Sequence, residues 1–391
     1  MNGKSFALLF FGLHDSNYPY TRIIHEILRS CADNGAQVSA FCIKQSQTES
    51  KENYLDGIIK IEECPNLFSS KGLTYLSYSF FSFFYILKTF FKRPDTCFIV
   101  PTTPPFILTL VVSVVKLVTF GKLKWIYHVQ DVHPEISFVD KKKTRLYQFL
   151  RKLDTLFIQS SNKTITLSKE MKSALLLRDK NLNKKIAVVN NFVEDFSSSN
   201  YSFDLIEEDK RKGKVIYIFS GNVGKYQRVV EVVNFFLNLE QFNDVLYILG
   251  DGDELVNVEK ILCDHKNRKR VRLLGRKPYN EANQIAAQCD YGIVSLNPEI
   301  TKYAYPSKFA TYLSMGLKVL AFIDADSQIA QEINDYQLGM IISEDSLLYC
   351  KNLYSERISC EERYRVKGIS KKLFGKEKLI RENCQILGCI K

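Results

Sequence analysis

The chain has 391 residues, 46% hydrophobic and 25% charged, which excludes a disordered or collagen-like protein and is too long for one comfortable core. Its net charge is +11, and between Lys141 and Lys185 thirteen Lys and Arg face only Asp154, Glu170 and Asp179, so one segment carries nearly all the excess. Such a patch suits an anionic partner: nucleic acid, a phosphorylated ligand or an anionic membrane surface. Ten cysteines are scattered with no C-x-x-C and none at zinc-like spacing with a histidine, so reduced thiols in a cytosolic protein are expected. The apolar run Phe6 to Phe11 is short and soon meets His14 and Asp15, unlike a secretory signal.

Lys4 to Phe11 reads as a first strand, Thr21 to Asn34 as an amphipathic helix, and Val38 to Ile43 as the next strand. This β-α-β order implies parallel strands with right-handed crossovers. The polar loop holding His14, Asp15 and Arg22 then falls at the carboxyl end of a strand, where open α/β sheets hold ligands. A capping loop explains the same residues. Leu73 to Lys92 is aromatic on nearly every face but interrupted by Lys88 and dotted with Ser and Thr, so it is a poor membrane span. Two readings stand: a buried helix beside the sheet, or a helix lying in a membrane interface. Thr96 to Pro101 is a strand, and Phe106 to Val118 an apolar helix.

The strand Lys124 to Gln130 runs into HVQDVHPE, residues 128 to 135, the densest group of titratable side chains in this half. His128 and His133 lack a spacing that converges on one metal ion. Asp131 suits an acid/base or substrate-orienting role, and a helix cap is its structural alternative. Lys141 to Gln159 is a basic amphipathic helix with Leu146, Phe149, Leu150, Leu153 and Phe157 as its stripe, which reads as membrane-surface or anion-facing. Thr164 to Leu167 and Ile186 to Asn190 are the last strands of this half. The polar run Glu194 to Ser202 reads as a linker.

A second α/β series follows. The strand Lys214 to Phe219 leads into Ser220-Gly221-Asn222-Val223-Gly224-Lys225 and a helix from about Tyr226; two glycines before a helix suit either a phosphate or a tight turn. Val245 to Leu249 ends in Gly250-Asp251-Gly252-Asp253-Glu254. The D-x-D there reads as a strand-to-helix turn rather than a metal site. Val271 to Leu274, Tyr291 to Ser295 and Leu317 to Phe322 are further strands, with a helix Glu281 to Cys289 between two of them. Pro306 suits the first turn of a helix that Gly316 ends, and Ser307 is the expected N-cap. With Lys308 beside it, that helix start suits a phosphate. Lys371 to Leu387 reads as one final basic helix.

These residues resemble the GT-B glycosyltransferases, specifically glycosyltransferase family 4 in its bacterial surface-polysaccharide branch. The resemblance rests on FSGNVGKYQ (219–227), YILGDGDE (247–254), VRLLGRKPYNE (271–281), CDYGIVSL (289–296) and YPSKFATYLSMG (305–316), and more loosely on YHVQDVHPE. It implies two Rossmann-like α/β domains facing a cleft: 1–195 for the acceptor, 203–370 for the nucleotide sugar, and 371–391 packing back across the junction. Gly221, Asn222, Gly224 and Lys225 would lie near the donor phosphates. Gly250, Asp251 and Gly252 would lie near base and ribose, and Tyr305, Pro306, Ser307 and Lys308 at the pyrophosphate. Asp131, His128 and Asp15 are the catalytic candidates, with Asp131 the best acceptor contact. The implied reaction transfers a sugar with retained configuration, from a UDP-sugar in preference, to a lipid-linked saccharide, without a bound metal or cofactor. The family's two Glu, eight positions apart, are here Tyr303 and Thr311, with Glu299 as a substitute, and Gln130 replaces its His before the Asp. A sugar-nucleotide 2-epimerase and a non-catalytic nucleotide-sugar-binding partner are the alternatives. The expected place is the inner face of the cell membrane, with no nucleic-acid partner, since no recognition motif accompanies the basic patch.

Overall fold

The computed structural model describes residues 4–14, 19–44, 58–103, 105–139, 144–196, 201–240, 243–343, 353 and 356–390. The chain forms two compact units: Met1–Asn191 with Tyr303–Tyr305 and Glu377–Lys391, and Phe192–Lys302 with Pro306–Lys376. Both are parallel-sheet α/β units of Rossmann type.

Unit 1 holds a seven-stranded sheet in the order β3-β2-β1-β4-β5-β6-β7. Its strands are β1 (Ser5–Leu9), β2 (Gln37–Ile43), β3 (Lys60–Cys64), β4 (Cys97–Pro101), β5 (Lys124–Val129), β6 (Lys163–Thr166) and β7 (Ile186–Val188). Its helices are α1 (Pro19–Asp33), α2 (Lys71–Lys92), α3 (Ile107–Val118), α4 (Arg145–Ser160) and α5 (Lys169–Leu176). Every strand pair is parallel. Central strands such as Ser5–Leu9 are buried along their whole length, because helices cover both sheet faces.

Unit 2 repeats the plan with six strands in the order β10-β9-β8-β11-β12-β13. These are β8 (Val215–Ser220), β9 (Asp244–Leu249), β10 (Val271–Gly275), β11 (Tyr291–Ser295), β12 (Lys318–Phe322) and β13 (Gly339–Ile341). Around them lie α6 (Asp204–Arg211), α7 (Val229–Asn238), α8 (Leu255–Asp264), α9 (Tyr279–Ala287), α10 (Pro298–Thr301), α11 (Ser307–Ser314), α12 (Gln328–Asp335) and α13 (Cys360–Phe374). The last helix, α14 (Lys376–Leu387), returns to unit 1.

Three expectations need correction. The single basic helix Lys371 to Leu387 is two helices broken at Gly375, whose added Cβ would sit 2.4 Å from the Lys371 carbonyl oxygen. The basic helix begins at Arg145, where the Thr144 hydroxyl accepts from the Tyr147 amide at 3.2 Å; Lys141, Lys142 and Lys143 lie outside the described residues. Of its apolar stripe, Phe157 is buried but Leu146 and Phe149 are exposed, because Tyr147 and Ile158 supply the inner face.

The aromatic helix α2 packs on the sheet by one face, as its buried reading expects, and leaves an apolar stripe exposed on the other. Tyr78 donates to the Phe41 carbonyl (2.6 Å), and Tyr85 stacks on Phe41 at 4.6 Å and meets the Ser39 hydroxyl at 3.1 Å, so one face is sheet core. The opposite stripe, Leu73, Leu76, Phe80, Phe84 and Phe91, is exposed. On α3, which packs on α2, Leu110, Val114 and Leu117 are exposed too, as is Phe120 just beyond it. Among the described residues no helix is long and apolar enough to cross a membrane.

Candidate functional site

In unit 2 the two glycine loops are built into each other. Gly221 donates to the Leu249 carbonyl (2.8 Å), Val223 to that of Asp251 (2.9 Å), and Glu254 to that of Val223 (3.0 Å). Gly250 has φ +153°, and a Cβ there would lie 1.8 Å from the Gly221 oxygen; one on Gly252 would lie 2.5 Å from the Val223 oxygen. These glycines are needed first for loop-on-loop packing. Asn222 and Asp251 are exposed on the loops, and Lys225 is exposed where the loop enters a 3₁₀ turn (Lys225–Gln227); the helix expected from about Tyr226 begins at Val229. The Ser220 amide donates to the Tyr312 hydroxyl (2.9 Å). Gly292 makes room for that ring, since a Cβ there would come within 2.2 Å of it.

Lys308 lies against these loops. Its stem is partly exposed, but its Nζ is shut off from solvent, has no hydrogen-bond partner among the described residues, and sits 3.6 Å from the centre of the Phe219 ring. A Cβ on Gly221 would be 3.1 Å from that nitrogen. Burial without a counter-charge pushes the ammonium down to about 7. Ser307 is not the N-cap: Pro306 holds that position, Ser307 opens α11, and no side chain caps the helix start. An uncapped helix start beside an unpaired ammonium is an anion-binding arrangement. Of the residues standing in for the family's Glu pair, Thr311 bonds back to the Ser307 carbonyl (3.0 Å). Glu299 is exposed on α10. Sequence reasoning missed Arg228, buried at the start of α7 with φ +52° and paired with Glu231. A buried arginine in a left-handed conformation has no local signature.

In unit 1, HVQDVHPE leaves the carboxyl end of β5. His128 is fully buried, its Nδ1 2.7 Å from the Tyr20 hydroxyl; burial pushes it down to about 4, so it is neutral at neutral pH. The Gln130 amide donates to the Thr102 hydroxyl (2.8 Å), and Asn191 donates to Gln130 Oε1 (2.7 Å), while Gln130 Nε2 has no partner among the described residues. Asp131 pairs in antiparallel fashion with Ala304, and burial pushes its carboxyl up to about 6. The Val132 amide donates to the Tyr303 carbonyl (2.8 Å), and Tyr305 is buried. Below the loop, Arg178 donates to Asp154 (2.5 Å), the His133 carbonyl (2.7 Å) and Glu135, which also pairs with Arg151 of α4 (3.2 Å). His14 lies 2.9 Å from a Glu63 oxygen and 3.2 Å from the Cys42 sulfur. Asp15 lies outside the described residues.

No family profile matches the chain. It is 26% identical over 226 residues to the probable glycosyltransferase WbjE of Pseudomonas aeruginosa; the match spans 55% of each, so the chain covers about half the length of that curated relative. Among solved structures it resembles Anabaena HepE, determined with UDP and glucose, at a TM-score of 0.70 and 12% identity over 99% of this chain and 100% of that one. It also resembles the lipopolysaccharide outer core galactosyltransferase WaaB, at a TM-score of 0.67 and 12% identity over 98% and 99% of the two chains. With its two parallel-sheet Rossmann-like units, the chain has the GT-B glycosyltransferase fold.

Proposed function

We propose that this protein is a retaining glycosyltransferase that moves a sugar from a UDP-sugar to a lipid-linked saccharide in surface-polysaccharide assembly, at the inner face of the cell membrane. The observation that carries the reading is the Lys308 ammonium, buried and without a hydrogen-bond partner beside the uncapped start of α11. A diphosphate supplies the missing counter-charge, and the same groups offset the charge that grows on the leaving nucleotide. Gly221, Asn222, Gly224 and Lys225 border the phosphates, Gly250, Asp251 and Gly252 the nucleoside, and Tyr305 to Lys308 the pyrophosphate. No metal is needed, because lysine and helix end take its electrostatic role. Asp131 meets the acceptor hydroxyl, and His128 positions the loop through Tyr20. The UDP complex of HepE and the relative named a probable glycosyltransferase favour the donor and the reaction class.

The exposed apolar residues of α2, α3 and α4, together with the exposed cations Lys92, Lys122, Arg145 and Lys152 on or close in sequence to those helices, suit an anionic lipid surface. Sedimentation with anionic vesicles is expected for wild type and lost in Phe80→Asp/Phe84→Asp; equal sedimentation would remove the membrane element. For the donor, melting is followed with UDP, GDP and ADP. UDP at 100 times its Kd should stabilise by about 2.7 kcal/mol. No shift with any nucleotide would overturn the transferase reading.

A further inference from the structure

Cys31 and the pair Cys384 and Cys389, far from it in sequence, converge in unit 1. Cys31 lies on α1, Cys384 on α14 and Cys389 just past its end. Their sulfurs all lie within 4.8 Å of one another, with Cys31 and Cys384 3.8 Å apart. Cys31 and Cys384 are fully buried and Cys389 is half-buried. The turn after α14 sets the second pair: Gly388 takes φ +75° and the Cys389 amide donates to the Cys384 carbonyl (2.8 Å), which folds the C-x₄-C segment back on itself.

We propose that Cys31, Cys384 and Cys389 bind a Zn²⁺ ion that fastens α14 to α1. Metal–sulfur bonds of about 2.3 Å hold thiolates about 3.8 Å apart in a tetrahedral site, the separation already present between Cys31 and Cys384. Two buried thiols would be explained by a disulfide, but a third sulfur in reach of both is not. Binding replaces three S–H protons, released to solvent, with three Zn–S bonds, and no electrons move. The site then carries one net negative charge, which the ammonium of Lys4, bonded to the Gly388 carbonyl, offsets; a monovalent soft ion would leave two. Water on the half-buried Cys389 side, or the Ser30 hydroxyl 3.5 Å from Cys384 Sγ, completes four ligands. The ion holds structure and takes no part in sugar transfer.

The test uses the full chain purified without chelator. Elemental analysis should find about one zinc per chain, released when a mercurial titrates the thiols. Cys384→Ser and Cys389→Ser should lose it, whereas Cys263→Ser and Cys360→Ser, at exposed positions, should keep it. Because a site variant can fail to fold, metal-free wild type is also titrated with Co²⁺. A thiolate-to-cobalt charge-transfer band saturating at one equivalent supports the site. Absence of zinc together with absence of that band overturns it, as does non-reducing mass spectrometry showing Cys31 and Cys384 joined as a disulfide.

Discussion

The Arg178 guanidinium in unit 1 and the Lys308 ammonium in unit 2 are both shut off from water, yet their surroundings differ. Arg178 meets Glu135, Asp154 and a backbone carbonyl, and Tyr127 completes Asp154 at 2.9 Å. Among the described residues the Lys308 ammonium has no hydrogen-bond partner and faces the Phe219 ring. A buried cation with all three nitrogens bonded is scaffold: it fixes the loop that carries Asp131. A buried cation left unmatched destabilises the empty fold and is kept for what it binds.

The largest effect should come from breaking the matched side. Arg178→Met strands two buried carboxylates and should cost about 3–5 kcal/mol in urea unfolding; under 1 kcal/mol would mean that the network is not holding the loop. On the unmatched side, Lys308→Met should leave the empty protein at least as stable as wild type while removing the roughly 2.7 kcal/mol gained from saturating UDP. A large loss of stability without ligand would make Lys308 scaffold as well. Gly250→Ala should cost about 1–3 kcal/mol, since it adds a clash with the Gly221 oxygen to backbone strain. Gly213→Ala, with φ +75° and open space around it, isolates the strain and should cost less.

A smaller effect is in pH. The Asp131 carboxyl is held protonated up to about 6 against a usual 3.8, so its contribution to stability falls as pH rises from about 4 to about 6. Activity that needs the carboxylate moves the opposite way. Below pH 6, kcat/KM should drop about tenfold per unit, and Asp131→Asn should flatten the profile at a low rate. An unchanged profile in that variant would remove Asp131 from the reaction.

The alternation of apolar strands and helices made both sheets readable, because buried parallel strands are unbroken hydrophobic runs. Lys60–Cys64 escaped notice because KIEEC has three charges in five residues and no apolar run, as suits an edge strand half in water. The glycine loops are legible as turns, but not their contact with each other: the sequence places Gly250 in a strand-to-helix turn, and the fold also needs it bare to admit the Gly221 oxygen. Lys308 was legible as a residue and not as a state, since its desolvation comes from Phe219 on a strand far back in the chain. The three-cysteine cluster joins residues more than 350 positions apart, and spacing rules see only neighbours.

On the proposed reading of the donor site, the depressed Lys308 makes it a proton-linked device. An ammonium that titrates near 7 in the empty protein regains its ordinary basicity once a diphosphate lies against it. Between about 7 and the usual 10.5 the empty fold therefore grows more stable as pH rises, and donor binding in that range takes a proton from solvent. Calorimetry at pH 8 in two buffers of different ionisation enthalpy should show this uptake in wild type and none in Lys308→Met. In the proposed cycle, nucleotide departure would return the proton, so that filling and emptying the site would breathe about one proton in and out at pH 8.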